Sequence, residues 1–576
     1  MESYRQLDAP RRTAITCALI LLLLLTLSLP VMSQSLRPAD ELLSHLQQLV
    51  AQQQWQQIVD ETQSVSARSA EVEYIQGMAL AKLGRLTEAR SAFSAAYDSN
   101  SHDPRNPTEL AGIAFKQNQR PEALHWLRRA HELSPKDTYV ADFLGTIYFL
   151  EGNLEASLKY WNIAGKPVIE NVRTDPQVRL DPVILDRALA FSPGTPLRQS
   201  ELLTSESRLR GLGIYPRFNL RLDAGNDGKF DAVLQTKELN GFGTNKWTAL
   251  FYTFRGVVFE TVTPEYYNLH GSGTNITSLY RWDINKRRVN AAISGPLHRD
   301  PKWRYRVGFD FRNENWGVHN FSDLPTPALG ALNFRREAGV AEISSFRSGR
   351  WNWSTGAEFS NRDFRNVAID PDVFPAFFLG GNQLKHFTRI NVDLLRIPEH
   401  RLTVISAFSS QEGRTWNAND PTFAKLQAGT RAHWFPQTSG DDYEMQGQTR
   451  YGRTYGDVPF DELFMLGIER DNDLMMRAHV GTADGKKGSA PLGRNYFVSN
   501  WELDKNIYGN GLLRLTLGPF VDSGKITDPD SALGTQKWLL DVGGQLKIRA
   551  LGVRFSVTYG KDTRTGKNDF YVYITE

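Results

Sequence analysis

Hydrophobic and polar positions change rhythm along the chain, and each rhythm predicts a different kind of element. An apolar run from Ala14 to Val31, centred on Leu21 to Leu25, follows Arg11 and Arg12. With small Ser33 before Gln34 it predicts a secretory signal over 1–33 and a mature chain from Gln34. The alternative is an uncleaved anchor, because the run approaches the roughly 18 residues at which a spanning helix becomes feasible. Residues 34–165 place apolar positions at helical spacing. Over 166–238 the pattern becomes β-α-α-β-β: strand PVIENV, helix DPVILDRALA, turn FSPGTPL, helix SELLTSESRLRGLG, then strands FNLRLD and FDAVLQTKE. From 239 to 576 the period falls to two, and about sixteen strand-like segments are separated by Gly, Asn, Asp and Pro. Trp303, Tyr305, Val307, Phe309 and Phe311 alternate with Arg304, Arg306, Gly308 and Asp310. Leu551, Val553, Phe555, Val557 and Tyr559 alternate with small or polar residues, as do Ile390, Val392 and Leu394.

The helical region repeats itself with a period of 34 between Glu71 and Pro167. Gly77, Ala111 and Gly145 fall in step, as do Ala89, Ala123 and Ser157, then Phe93, Leu127 and Trp161, then Ala96, Ala130 and Ala164. This closely resembles the TPR family, in which small residues let the two helices of a hairpin approach and the large apolar residue fills the space between repeats. Pro135 closes the second repeat, and Leu42 to Val65 reads as an additional, off-register helical pair that caps the stack. The resemblance implies a groove for a peptide or a periplasmic protein partner; the alternative is an array that spaces or stabilises the domains C-terminal to it.

Residues 166–238 resemble a POTRA domain, with Ser192-Pro193-Gly194 joining the helices and Leu212 to Tyr215 leading into the closing hairpin. Asn226-Asp227-Gly228 supplies the hairpin turn, since these residues tolerate positive φ. Asp223, Asp227 and Asp231 do not have the spacing of an EF-hand calcium loop.

One alternating strand suits a soluble sandwich as well as a barrel. Repetition of large aromatics on the apolar face across many strands, behind a signal peptide, selects a transmembrane antiparallel β-barrel. Its lumen is expected to be polar and rich in arginine, and closure leaves no unpaired edge in hydrocarbon. The aromatic strand Asp569 to Ile574 suits outer-membrane insertion.

Three strings then resemble the BamA-like superfamily of outer-membrane assembly and two-partner-secretion barrels (BamA, TamA, FhaC; bacterial surface antigen). Asn268-Leu269-His270-Gly271-Ser272-Gly273 looks like an early-barrel Asn-Leu-x-Gly-x-Gly turn, and Phe460 to Gly467 (FDELFMLG) like the segment entering the long sixth loop. At the loop tip the family carries Val-Arg-Gly-Phe/Tyr; Leu474 to His479 reads LMMRAH, so Arg477 matches while Ala478 and His479 depart. Phe520-Val521-Asp522-Ser523-Gly524 resembles the Phe-x-Asp-x-Gly strand motif, whose carboxylate receives the loop arginine. Parity agrees independently: Leu513, Leu515, Leu517 and Val521 take one face, so Arg514, Thr516, Phe520 and Asp522 take the other, where a buried carboxylate needs a cation. Arg477 is the expected partner; the alternative is a solvated aspartate with the loop arginine elsewhere.

Composition narrows the chemistry. The single cysteine, Cys17, lies in the signal run, which leaves the mature chain without disulfides or thiolate sites. A net charge of +3 without a basic block gives no support to nucleic-acid binding. The 11% aromatic content and 46 glycines suit interfacial girdles and tight turns. No His-Glu-x-x-His, Gly-x-Ser-x-Gly or P-loop string occurs, and Gly481 to Ser489 (GTADGKKGS) has the wrong phosphate-loop spacing and reads as a flexible loop. Asp441-Asp442 and Asp461-Glu462 read as solvated acids at turns, and the 11 histidines lack ligand spacing. No catalytic residue, cofactor or metal is expected.

The chain is therefore expected to combine an α-solenoid, a small α/β domain and a C-terminal barrel in the bacterial outer membrane, with the N-terminal domains in the periplasm. It would contact membrane lipid and insert or translocate an unfolded or secreted protein client, by a route that includes strand addition to the POTRA edge. An exopolysaccharide-export porin and a passive outer-membrane pore remain the alternatives.

Overall fold

A computed structural model describes residues 38–66, 68–243, 256–257, 259–321, 327–369, 378–417, 419–437, 440–510, 513–528, 533–535, 537–550 and 553–575. The expected signal segment, the first strand candidates at 244–255 and the Leu551-Gly552 pair lie outside them. The chain forms two compact units that divide between Val140 and Ala141. Among the described residues no helix is long and apolar enough to cross a membrane.

The first unit is built of antiparallel helix pairs: α1 (Pro38–Ala51) with α2 (Trp55–Gln63), α3 (Ala70–Lys82) with α4 (Leu86–Ser99), and α5 (Arg105–Lys116) with α6 (Arg120–Leu133). Ser69 caps α3 by accepting from the Val72 N–H. Ala89, Ala96, Ala111, Ala123, Leu127 and Ala130 are all fully buried. A Cβ on Gly77 would lie 2.8 Å from the Phe93 ring, so the aromatic side chain covers the glycine of its own hairpin as well as facing its neighbours. Arg105 reaches back one repeat to Glu71, Oε2 at 2.6 Å, and Arg90 reaches forward to Glu122.

Helix α7 (Thr138–Leu150), which from Ala141 onward belongs to the second unit, and α8 (Leu154–Trp161) repeat this hairpin, with Trp161 on Gly145. Helix α8 stops early and passes through a short 3-10 turn to Gly165 at φ 71°, which leaves Ala164 only half-buried. Gly145→Ala would ordinarily gain about 1 kcal/mol of helix propensity. Here the new Cβ would stand 2.3 Å from the Trp161 ring. Overpacking of that kind costs about 1–3 kcal/mol, so the variant is expected to lower the first thermal transition followed by helical circular dichroism. An unchanged or raised transition would refute the packing argument.

Leu158 and Trp161 enter the core of the small α/β domain that comes next in the chain. There β1 (Ile169–Asp175) runs parallel to the central β3 (Phe230–Thr236), which pairs on its other side with the antiparallel β2 (Phe218–Ala224). Helices α9 (Pro182–Ala188) and α10 (Gln199–Leu212) cover the sheet through Ile184, Leu202 and Leu209. The β2–β3 turn places Asp227 and Gly228 at φ 55° and 72°. Asp223 is held by Arg173 at 2.7 Å and Asp231 accepts from Asn171 at 3.1 Å, so neither acid is free for calcium.

The remainder is one large antiparallel sheet. Two short strands, Thr261–Val262 and Glu265–Tyr266, pair with β4 (Asn275–Arg281). Then come β5 (Lys286–Leu297), β6 (Asp300–His319), β7 (Ala328–Ser345), β8 (Trp351–Ile369), β9 (Gly381–Ile397), β10 (Leu402–Trp416), β11 (Thr422–Trp434) and β12 (Tyr443–Gly456). After a long loop come β13 (Asn495–Gly509), β14 (Leu513–Thr527), β15 (Leu539–Ala550), β16 (Val553–Asp562) and β17 (Asn568–Thr575), each paired with its neighbour. Strands β6, β7 and β8 have 20, 18 and 19 residues, far more than the roughly 9–11 of one tilted membrane crossing. Strands β16 and β17 have only 10 and 8. One face exposes Val307, Phe309, Phe311, Leu384, Val392, Leu394, Phe408, Leu517, Val521, Phe570 and Val572. The other face holds the polar partners of the alternation.

The short-turn end of the sheet carries the small domain and the last helix pair. Arg304 of β6 donates to the Gly211 carbonyl, and Asn275 Nδ2 donates to the Leu212 carbonyl at 2.8 Å. At the β9–β10 turn, Glu399 is bound by Lys159 and by the Tyr160 hydroxyl at 2.8 Å, while Asn153 Nδ2 donates to the Pro398 carbonyl at 2.8 Å. Burial alone would push the Glu399 carboxyl up, but the Lys159 ammonium and these hydrogen bonds hold it below its usual range.

Candidate functional site

Between β12 and β13, residues 457–494 leave the sheet and fold back against its inner face. Local pairings set their course. Phe464–Met465 pairs with Leu492–Gly493, Ile468 bridges to Val480, and Thr482–Ala483 forms a tight hairpin with Lys486–Lys487. Asp484 and Gly485 turn that hairpin at φ 51° and 76°. This corrects the expectation of a flexible loop over 481–489: Lys487 is buried with Nζ 2.7 Å from Glu314, and its backbone pairs with Trp316 of β6.

The inner face also departs from the expected polar, arginine-rich lining. Trp316 and Val318 of β6, Leu332 and Phe334 of β7 and Phe423 of β11 pack against Val458, Phe460, Leu463, Met465 and Leu492 of the loop. These wall residues have the inward parity and are apolar because the loop, rather than water, lies against them.

At the loop tip Arg477 meets Asp522 of β14. Its Nε and one terminal nitrogen donate to the two carboxylate oxygens at 2.9 and 2.6 Å, and its backbone N–H adds a third bond at 3.0 Å. The other terminal nitrogen donates to Glu502 of β13 at 2.9 Å, and the guanidinium lies 3.8 Å from the centre of the Phe520 ring. Asn500 Nδ2 also donates to Asp522 at 2.9 Å. Asp522 is completely buried, which suits a bidentate arginine far better than a point-charge lysine. A Cβ on Gly524 would lie 3.2 Å from Met476 Sδ, so the glycine allows the tip to approach the strand.

Further ion pairs hold the loop elsewhere. Asp471 binds Arg281 at 2.9 Å and Arg288 at 2.5 Å, Glu469 binds Lys286 at 2.8 Å, and Asp473 binds Arg450 at 2.8 Å. The expectation that Asp461 and Glu462 are solvated acids at a turn is overturned. Both side chains are 7% exposed and face Arg362, whose own side chain is 0% exposed. Arg362 Nε donates to Asp461 at 2.8 Å and a terminal nitrogen to Glu462 at 2.7 Å, with Lys385 also 2.7 Å from Glu462. The turn acids come from sequence positions about a hundred residues beyond their partner, a separation that local spacing does not expose. Asp441, by contrast, is an exposed acid paired with Arg401 at 2.6 Å.

Asn268, Gly271 and Gly273 lie apart from this loop, where the small domain joins the sheet. Asn268 is buried; its amide donates to Glu238 at 2.9 Å and to Asn240 at 2.8 Å, and its oxygen accepts from the Gly273 N–H at 2.9 Å. Glu238 in turn accepts from the Arg179 and Leu180 N–H groups, at 2.6 and 2.8 Å. Gly271, at φ 75°, accepts from the Asp181 N–H at 2.8 Å, and a Cβ there would lie 2.9 Å from the Arg179 carbonyl. The turn is thus a junction piece.

No protein-family model and no curated protein matches the sequence. Solved structures similar to the chain include BamA from Haemophilus ducreyi lacking POTRA domains 1–3, at 13% identity and TM-score 0.43 over 72% of this chain and 85% of that one. CdiB from Escherichia coli is similar at 10% identity and TM-score 0.46 over 71% and 74%, and CdiB from Acinetobacter baumannii at 11% and 0.41 over 76% and 86%.

Proposed function

We propose that the chain is an outer-membrane β-barrel of the BamA-like superfamily that inserts or translocates a protein client, with its TPR and POTRA-like domains receiving that client in the periplasm. The observation that carries this reading is the long loop lying inside the sheet, its Arg477 clamped on Asp522 of a Phe-x-Asp-x-Gly strand. The strand order read as a ring and the outward band of Val, Leu and Phe support a closed barrel in lipid. The small domain at the short-turn end supports a periplasmic position, because outer-membrane barrels keep their short turns on that side. The outer strands β1 and β2 of its sheet offer edges to which an extended client could add.

Depletion of the protein followed by outer-membrane and secreted proteomics tests the reading. Loss of one exported protein is expected for a dedicated translocator, and loss of many barrels for a general insertion factor. An unchanged protein profile with loss of surface glycan would reject a protein client in favour of polysaccharide export.

A further inference from the structure

We propose that His479, Asp541 and Asp562 form a binding site for one divalent transition-metal ion of the zinc class, which fastens the loop tip to β15 and β16. Three separate elements supply the residues. Asp541 and Asp562 are direct cross-strand partners on the inner face of β15 and β16, and His479 follows Arg477 by two positions on the tip. One ligand atom from each lies within 4.8 Å of the other two. The Asp541 side chain is 0% exposed, that of Asp562 3% and that of His479 12%. Histidine spacing in the sequence hides the site, because 62 residues separate His479 from Asp541. The site stands whether the chain inserts, translocates or conducts.

Charge and lone pairs both call for a cation at this point. Like charges directly opposite one another destabilise a sheet, and among the described residues no lysine or arginine is paired with Asp541 or Asp562. Asp562 takes the Arg564 N–H at 2.9 Å and the Thr565 hydroxyl at 2.6 Å, neither of which brings charge. One oxygen of Asp541 accepts from the Ala478 N–H at 2.7 Å, while its other oxygen is buried without a partner. In a neutral imidazole, Nδ1 donates to Asp541 at 3.1 Å, since a carboxylate can only accept. Nε2 then presents a lone pair to the Asp562 carboxylate, 3.8 Å away. That separation is too long for a hydrogen bond. It suits two donors on a single ion, each about 2.0–2.2 Å from it. A metal-binding imidazole oriented by a carboxylate on its other nitrogen has this arrangement. Nε2 and Asp562 are thus ligands, and Asp541 orients the ring through one oxygen and supplies its free oxygen as the third. One imidazole nitrogen among carboxylate oxygens suits zinc, whereas calcium takes oxygen alone.

The test takes the untagged full chain folded in detergent, strips it with EDTA, desalts it and titrates it with Co2+ as a visible probe and Zn2+ as competitor. About one equivalent of Co2+ is expected to bind, with the strong visible absorption of a four- or five-coordinate ion, and Zn2+ is expected to displace it. His479→Gln and, separately, Asp562→Asn are expected to abolish that absorption, and Asp541→Asn to weaken binding about 10–100-fold. At a Zn2+ concentration about ten times the dissociation constant, proteolysis of the loop should slow about tenfold in the native chain and not at all in His479→Gln. Folding of each variant is read from its gel mobility before and after boiling, and where His479→Gln does not fold, Asp562→Asn decides. A native chain that binds no Co2+ overturns the proposal, as does a folded His479→Gln or Asp562→Asn chain that keeps the native spectrum. Stoichiometric binding without any slowing of proteolysis rejects the fastening of the tip.

Discussion

Asp522→Ala is expected to free the loop tip and, if the proposed barrel is occluded by its loop, to make it conduct. The substitution strands the Arg477 guanidinium, 3% exposed, between Glu502 and the Phe520 ring, with two of its hydrogen bonds and that of the Arg477 backbone N–H gone. Removing one partner of a buried pair costs about 3–5 kcal/mol, most of it the penalty on the charge left behind. The tip keeps its contacts to Glu502, to Asp541 through the Ala478 N–H and His479, and to Asn500 through the Met475 carbonyl, but none of these replaces the forked pair, so steady conductance should rise and the folded protein should unfold at lower denaturant. Arg477→Met combined with Asp522→Leu should be milder than either single change, because neither charge is then buried alone. If both single variants keep native conductance and native client export, the pair does not hold the loop.

Arg362→Met is expected to act at the loop's entrance rather than at its tip. Arg362 forks between Asp461 and Glu462 and also donates to Ser360 and Gln383. Its loss leaves Glu462 to Lys385 and Lys425 and takes from buried Asp461 the cation that pairs with it. The cost should again be about 3–5 kcal/mol. Because Phe460 and Leu463 stay packed on Trp316 and Phe423, the loop should remain inside while its base becomes accessible to protease. Arg362→Lys should recover only part of the loss, since one ammonium cannot reach both acids with forked geometry. Native protease resistance in Arg362→Met would refute this.

Legibility in the sequence followed the range of the interactions. The 34-residue period was readable because each hairpin repeats the same local demand, a small residue beneath a large one, as at Gly145 and Trp161. The inward face of β14 was readable because parity leaves Asp522 no choice once Leu517 and Val521 face outward. Arg477 was found through a motif. Asp461 and Glu462 were misread because a turn acid looks the same whether water or Arg362 lies beside it, and that arginine is set by topology rather than spacing. Glu399, bound to Lys159 240 residues earlier, escaped for the same reason. Trp316 and Val318 broke the polar rule for inward positions because the rule presumes a watery interior, and the loop supplies an apolar one.

The ion pairs that seat the loop are sorted by side. Along β4 to β12 the wall contributes mostly cations, Arg281, Lys286, Arg288, Arg362, Lys385 and Arg450, to acids of the loop. Along β13 to β16 it contributes acids, Glu502, Asp522, Asp541 and Asp562, to Arg477 and His479. With the loop seated these charges cancel locally. In the proposed barrel, withdrawal of the loop would leave one stretch of wall basic and the other acidic, and an electric field would run across the bore rather than along it. In the proposed translocator, an extended polypeptide client entering that field would be turned about its long axis until its own acidic and basic side chains faced the opposite walls.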